Sequence, residues 1–404
     1  MTFERFIARR FMPRRGADSG FSGPLSAIAV AGIALGVVVM VMAVSILRGF
    51  QEDITQKVVG FGSHLTVTAY DAGGTYTEVP VSLDSALTAA VRAVPGVRHV
   101  QAFATKGGMV KTEEQIYGIL LRGLAADYDT VFYHDCLTAG RLPAGANEVL
   151  VSSTIAAKLK LAVGDKMRTY FWQGDSYRPR AFSISGIYNT DLTEMDELYV
   201  IGSLATVQRL NGWDSTMAGG YEVLVDDYRR LGSIASAVTA LLPIELRLTT
   251  ITEAHPALFS WLDLLNTNIT LILAIMCLVS AVAIVSALLI MIFEKSATIG
   301  LLKALGAGNR SVRRIFLMKA TGLILWGIAI GDAVALALSM AQRHWQLVRL
   351  DPESYSMSHV PVLVDPWIYV AVSAGTLAVC LLALLLPTAG ISRISPATTM
   401  KIER

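Results

Sequence analysis

The sequence predicts an α+β membrane protein, with four transmembrane helices and a large mixed α/β domain inserted between the first and second. Three observations predict it. Of 404 residues 53% are hydrophobic and only 16% charged, with a mean hydropathy of +0.52, too apolar for an ordinary soluble chain of this size. The apolar residues gather in four runs, each long enough at about 1.5 Å per residue to cross a hydrocarbon core of about 30 Å. Between the first and second runs lies a long stretch of mixed composition in which strand and helix periodicities alternate.

Residues 1–24 form a basic segment with Arg5, Arg9, Arg10, Arg14 and Arg15, and the charge-free run 25–47 follows as the first span. Ala43-Val44-Ser45 is a formal cleavage site, but the run exceeds the roughly 7 to 15 residues of a signal core, so a retained anchor is expected. The inserted domain, 48–263, contains two period-two stretches rich in β-branched and aromatic residues, HLTVTAY (64–70) and AFSISGIY (181–188), read as strands. Apolar positions three and four apart predict helices over 82–97, 153–165, 203–213 and 228–243, ended respectively by Pro95-Gly96, a Val-Gly-Asp turn, Asn211-Gly212 and Pro243. Spans two, three and four occupy 264–293, 317–341 and 366–390, with a connector at 294–316, a loop at 342–365 and a tail at 391–404. Gly32 and Gly36 in the first span, and Gly327 and Gly331 in the third, have the four-residue spacing that lets helices approach closely. They indicate a helix bundle and are candidates for a subunit interface.

Lysine and arginine in short loops are retained on the cytoplasmic side. The connector and its flanks carry Lys295, Lys303, Arg310, Arg313, Arg314 and Lys319, and the tail Arg393, Lys401 and Arg404. Loop 342–365 sets only Arg343 and Arg349 against Asp351, Glu353 and Asp365. Both termini and the connector are therefore expected in the cytoplasm and the inserted domain outside.

Most enzymatic chemistry is excluded. No phosphate-binding loop, dinucleotide fingerprint, zinc-protease motif or nucleophile elbow occurs, so neither ATP binding nor catalysis is expected of this chain. The six histidines lack metal-ligand spacing and no metal is expected. The net charge of +2 is spread over both membrane faces and offers no nucleic-acid surface. Cys277 and Cys380 fall in spans, which leaves Cys136 alone in the inserted domain, without a disulfide partner and read as a packed thiol. Asp332 is the ionisable residue in mid-span. Without further intramembrane acids it reads as a bundle-facing group satisfied by hydroxyls or a basic partner rather than as a proton relay.

The connector is more organised than a loop. On a helical projection Ile299, Leu301, Leu302 and Leu305 share an arc of about 160°, with Lys303 at its margin. Gly306 ends this amphipathic segment, and Gly300 and Ala304 leave a low face four residues apart. A basic helix on anionic headgroups accounts for the charge but not for that low face.

The segment EKSATIGLLKALGA, 294–307, resembles the hallmark of the FtsX-like permeases, the membrane subunits of type VII mechanotransmission ABC systems. The resemblance runs along essentially the whole chain. ILRGFQEDITQKVVGFGSHLTV, AGRLP, EVLVSSTIAAKLKLAVGD, FSISGIYNTDLTEMD and the terminal LLPTAGISRISPATTMKIE are similar to segments of LolC/LolE-type lipoprotein-releasing subunits. It implies a MacB-like periplasmic domain with strand-rich and mixed lobes, a bacterial inner-membrane location, and no cofactor on this chain. ATP would be bound by a separate LolD-like ATPase, with the connector as the coupling helix. The positions it assigns to that contact are Glu294, Lys295, Ile299, Gly300, Leu302, Lys303, Ala304 and Gly306.

The resemblance further implies a second FtsX-like permease, or a second copy of this chain, as partner. Lipoproteins would enter a membrane cavity bounded by the first two spans and pass to a periplasmic chaperone. The matching outer ends are Val44, Leu47 and Phe50 with Leu258, Trp261 and Leu265. In one place the sequence departs from the pattern: the stretch matching the chaperone-hooking loop of LolC, WQGDSYRPR (172–180), has only nine residues. Chaperone capture is then assigned to a partner permease, or recruitment is altered in a homodimer. The alternative within the same class is another mechanotransmission system, for peptide or drug efflux or for cell-division signalling. A membrane-anchored receptor or enzyme would instead require outer catalytic or ligand motifs and no docking helix.

Overall fold

The computed structural model describes residues 22–70, 78–112, 115–173, 176–351, 357–385 and 387. The N-terminal arginines, positions 174–175, the tail and positions 386 and 388–390 of the expected fourth span lie outside the described residues. The chain divides into two compact units, one of residues 1–51, 261–348 and 360–404, the other of residues 52–260 and 349–359.

Among the described residues four helices are long and apolar enough to cross a membrane: Ser22–Gly62, Pro256–Glu294, Asn309–Trp345 and Pro366–Ala383. The first three run past their apolar stretches. In the first, Ile54, Val58 and Phe61 are buried at helical spacing, and Lys57 pairs with Asp53 one turn back at 3.4 Å, so residues 51–62 stay helical without being lipid-like. Arg310, Arg313 and Arg314 lie in the opening turns of the third helix rather than in a loop.

Both glycine pairs are used inside this chain. A methyl group on Gly32 would lie 3.5 Å from Ala283 Cβ, and one on Gly36 would collide with Ser280 Oγ, so this face of the first helix lies against the second. The opposite partnership is formed by Gly327 and Gly331 of the third helix. A Cβ there would stand 2.9 Å from Ile33 Cβ and 2.8 Å from Val37 Cβ of the first helix. Close backbone approach of this kind supplies the packing that apolar burial cannot supply in lipid. The grooves considered for a subunit interface are thus filled by neighbouring helices of the same chain. The core they enclose includes Ile33, Val37, Met40, Ile284, Leu288, Ile324 and Cys380.

The inserted unit contains strands β1 (Leu65–Ala69), β2 (Val81–Ser82), β3 (Val97–Lys111), β4 (Ile116–Leu124), β5 (Leu137–Gly140), β6 (Glu148–Ser152), β7 (Lys166–Gln173), β8 (Ser176–Tyr188), β9 (Tyr199–Ser203), β10 (Met217–Ala218), β11 (Gly220–Val225) and β12 (Leu246–Thr250). Ten of them form one sheet, and within it β3, β4, β9, β6, β8 and β7 pair in sequence until β7 returns to β3, which closes a six-stranded ring. Val110, Leu121, Val151, Phe171, Phe182 and Val200 fill its interior. Helix Leu204–Asn211, ended by Gly212 at φ 72°, packs Val207 against this core.

The 15-residue β3 belongs to two lobes. Residues 97–103 pair with β11, which continues to β1 and β12, whereas residues 103–111 pair with β4 in the ring. The predicted strands at 64–70 and 181–188 are β1 and the second half of β8. The predicted helices are all present but shorter. Asp84 caps the first at Ser85–Arg92. The second ends at Leu159 with Lys160 in the left-handed region, ahead of the Val-Gly-Asp turn expected to stop it. The fourth opens as a 3-10 turn, Tyr228–Arg230, before the α-helix Leu231–Thr239.

Candidate functional site

The connector folds as helix Ser296–Ala304, entered from the second long helix through Lys295. Its end is a Schellman motif. Gly306, at φ 96°, donates to Lys303 O at 3.0 Å and Ala307 donates to Leu302 O at 2.9 Å. Gly308 then starts the third long helix. Ile299 is buried at 1% exposure and packs with Val312 and Phe316, which pins the short helix to the unit that carries it.

The expected contact positions therefore divide. Ile299 and Gly300 are buried, Ile299 against Val312 and Phe316 where the third helix folds back. Leu302 and Lys303 are half-buried, Lys295 pairs with Glu294 at 3.8 Å, and Ala304 and Gly306 are exposed. The low face formed by Gly300 and Ala304 is consequently split between interior and surface. The most accessible apolar side chains are Leu301 at 59% and Leu305 at 77%. Both belong to the apolar arc. Neither is among the contact positions assigned above, and which half of the arc is covered depends on the path of residues 309–316.

A second constellation lies where the first and second long helices leave their apolar runs. Phe50 and Trp261 meet edge to face with ring centroids 5.5 Å apart, and Gln51 Nε2 donates to Asn266 Oδ1 at 3.0 Å and to Leu262 O at 3.4 Å. Leu47 and Phe50 are buried at 7% and 9% exposure, Val44 and Leu265 are half-buried, and Trp261 is exposed. Leu258 belongs to the other compact unit.

Sequence reading missed a strap on the first helix. Leu363 N donates to Ser45 O at 3.0 Å, and a Cβ on Gly49 would stand 2.8 Å from Pro361 O and 2.9 Å from Leu363 N. Gly49 is the signal for it, a glycine just beyond the last apolar turn.

Asp332 faces the fourth long helix, where Ser373 Oγ donates to its Oδ2 at 2.7 Å. Its Oδ1 is buried and has no hydrogen-bond partner among the described residues, so the hydroxyl meets only half of the carboxylate. Cys136 is half-buried, and burial pushes its thiol up to about 11, which removes thiolate reactivity at neutral pH. His64 accepts a hydrogen bond from Val225 N at Nδ1, and burial holds it down to about 4, so it stays neutral. Among the described residues no group of three or more His, Cys, Asp or Glu is placed to hold a metal.

Residues 26–241 match the family model of the MacB-like periplasmic core domain. The chain belongs to this family. Residues 270–396 of this MacB-family chain match the FtsX-like permease C-terminal model, which takes in the connector helix. It is 23% identical over 426 residues to a lipoprotein-releasing system transmembrane protein LolC of Neisseria meningitidis serogroup B, with both chains wholly covered. It is 22% identical over 408 residues to a LolC of Xylella fastidiosa, covering 95% of each. The crystal structure of the periplasmic region of MacB from Actinobacillus actinomycetemcomitans aligns with 50% of this MacB-family chain and 95% of its own at 13% identity and a TM-score of 0.34.

Proposed function

We propose that this chain is the non-catalytic membrane subunit of an ATP-driven type VII ABC complex that extracts lipoproteins from the inner membrane and releases them toward the outer membrane. The observation that carries this reading is the connector. It is a capped helix, anchored by buried Ile299, that turns exposed Leu301 and Leu305 outward between two membrane-length helices. In water such a pair favours a protein partner. Here that partner is a separate LolD-like ATPase, which binds the ATP. The similarity to lipoprotein-releasing subunits over whole chains supports the Lol assignment over the other mechanotransmission systems.

In this reading the four long helices span the membrane, the basic segments and both termini are cytoplasmic, and the inserted domain is periplasmic. A second FtsX-like permease, or a second copy, completes the complex. Lipoprotein is taken in where Phe50 and Trp261 meet, and the short stretch 172–180 leaves chaperone capture to a different partner permease or, in a homodimer, to an altered recruitment. Leu301→Glu combined with Leu305→Glu tests the coupling. The variant should insert normally, lose its ATPase on co-purification and lose ATP-dependent lipoprotein release. Retention of the ATPase with full release would refute the assignment.

A further inference from the structure

The third long helix has an exposed apolar face that does not stop where the helix stops. Val334, Leu338, Met340 and Trp345 are 44%, 46%, 56% and 67% exposed. Gln346 then turns the chain at φ 46°, and Leu347 and Val348 follow at 66% and 54%. The fourth long helix opens on Asp365, whose side chain caps the Trp367 N–H, and Trp367 itself is 77% exposed.

At Val348 and Val360 the backbone of this turn is paired from within. The buried Gln342 side chain donates to Val348 O and Val360 O, each at 3.1 Å, and accepts from Val348 N at 3.0 Å. Val360 N also donates to Val348 O at 3.2 Å. A surface turn in water has solvent for these groups, whereas irregular backbone beside hydrocarbon has none and must be paired internally. Tryptophan at both helix ends, with Arg343 and His344 on the same turn as Trp345, is the arrangement that suits headgroup depth, with indoles at the boundary and cations toward lipid phosphate.

We propose that Trp345, Leu347, Val348 and Trp367 form a phospholipid-binding surface, with the turn immersed at the boundary between headgroups and acyl chains. The proposal rests on the four-span reading and not on the transported substrate. The surface continues the lipid-facing side of the third helix. Through Pro361 and Leu363, the same loop holds the first helix at Gly49, so the strap is supported from the lipid side.

The test uses the full chain with Cys136, Cys277 and Cys380 replaced by alanine and a nitroxide on Leu347→Cys, in vesicles of phosphatidylethanolamine and phosphatidylglycerol. Val348→Cys serves if the first variant does not insert, and Ile244→Cys, at a position 93% exposed in the inserted domain, is the water reference. Relative to that reference, the ratio of oxygen accessibility to that of a polar nickel complex should rise severalfold. A ratio equal to the reference places the turn in water, and protection from both reagents places it against protein. Either result overturns the proposal. The readout is the same in either leaflet, so an inverted topology leaves it intact, whereas a chain that fails to float with vesicles overturns the four-span reading and this surface together.

Discussion

Phe50 and Trp261 meet edge to face at 5.5 Å where the first two long helices leave their apolar runs, and the adjacent Gln51 fastens the same junction through Asn266. An aromatic pair and a side-chain hydrogen bond contribute about 1 kcal/mol each, so removing both shifts the opening equilibrium roughly thirtyfold. Gln51→Leu combined with Trp261→Ala should accelerate thiol labelling of Leu47→Cys, a position only 7% exposed, by about that factor. An unchanged labelling rate would show that these two contacts do not hold the helices closed over Leu47.

Gly331 accepts Val37 so closely that any side chain must move the first helix, whereas Gly375 has nothing within 4 Å of a Cβ. Gly331→Leu should therefore lower the unfolding temperature of the full chain in detergent, with an overpacking cost of about 1–3 kcal/mol, and Gly375→Leu should leave it alone. Equal effects would mean that the close approach does not determine the packing.

Arg122 and Glu222 are ion-paired in the interior of the inserted domain, where Tyr128 and Gln101 also donate to the Glu222 carboxylate. Breaking a buried pair leaves a bare charge at a cost of about 3–5 kcal/mol, so Glu222→Ala should lower the unfolding temperature by on the order of 10 °C. Arg122→Met with Glu222→Leu should recover most of the loss. A double variant as unstable as the single one would show that Tyr128 and Gln101 depend on the charge.

Burial raises the carboxyl of Asp196 to about 6, against hydrogen bonds from Thr190 that favour the charged form. The folded state therefore holds a proton that the unfolded state has lost between about pH 4 and pH 6. Across that window this group's contribution to stability is largest at the acid end and falls as pH rises, by about 1.4 kcal/mol per unit of displacement. Asp196→Asn should be close to neutral at pH 4 and progressively stabilising up to pH 7 in denaturant titrations. A substitution effect independent of pH would place the carboxyl in its ordinary range.

The long helices and the connector were legible because lipid imposes length and charge rules that a single sequence displays. The inward turn of Ile299 and the outward turn of Leu301 were not. Both occupy one apolar arc, and only the return of Val312 and Phe316 decides which is covered. The six-stranded ring was hidden for a similar reason. Its closure depends on Met109 of β3 meeting Tyr170 of β7, a pairing between distant residues that local periodicity cannot express. The two spacing-four glycine pairs were read correctly as packing devices, but spacing alone does not distinguish a neighbour in the same chain from a partner.

Strand β1, the first laid down in the inserted domain, has both its neighbours, β11 and β12, near the domain's other end. During synthesis it emerges directly behind the first long helix and stays unpaired on both edges until residues 220–250 follow. At roughly 5–20 residues per second that interval is on the order of ten seconds or more. Leu65 and Val67, both fully covered in the finished fold, are exposed for all of it. The biogenesis of this chain therefore includes a waiting period in which a sticky strand is tethered beside the membrane, and conditions that slow translation should penalise its yield more than they penalise a permease without the inserted domain.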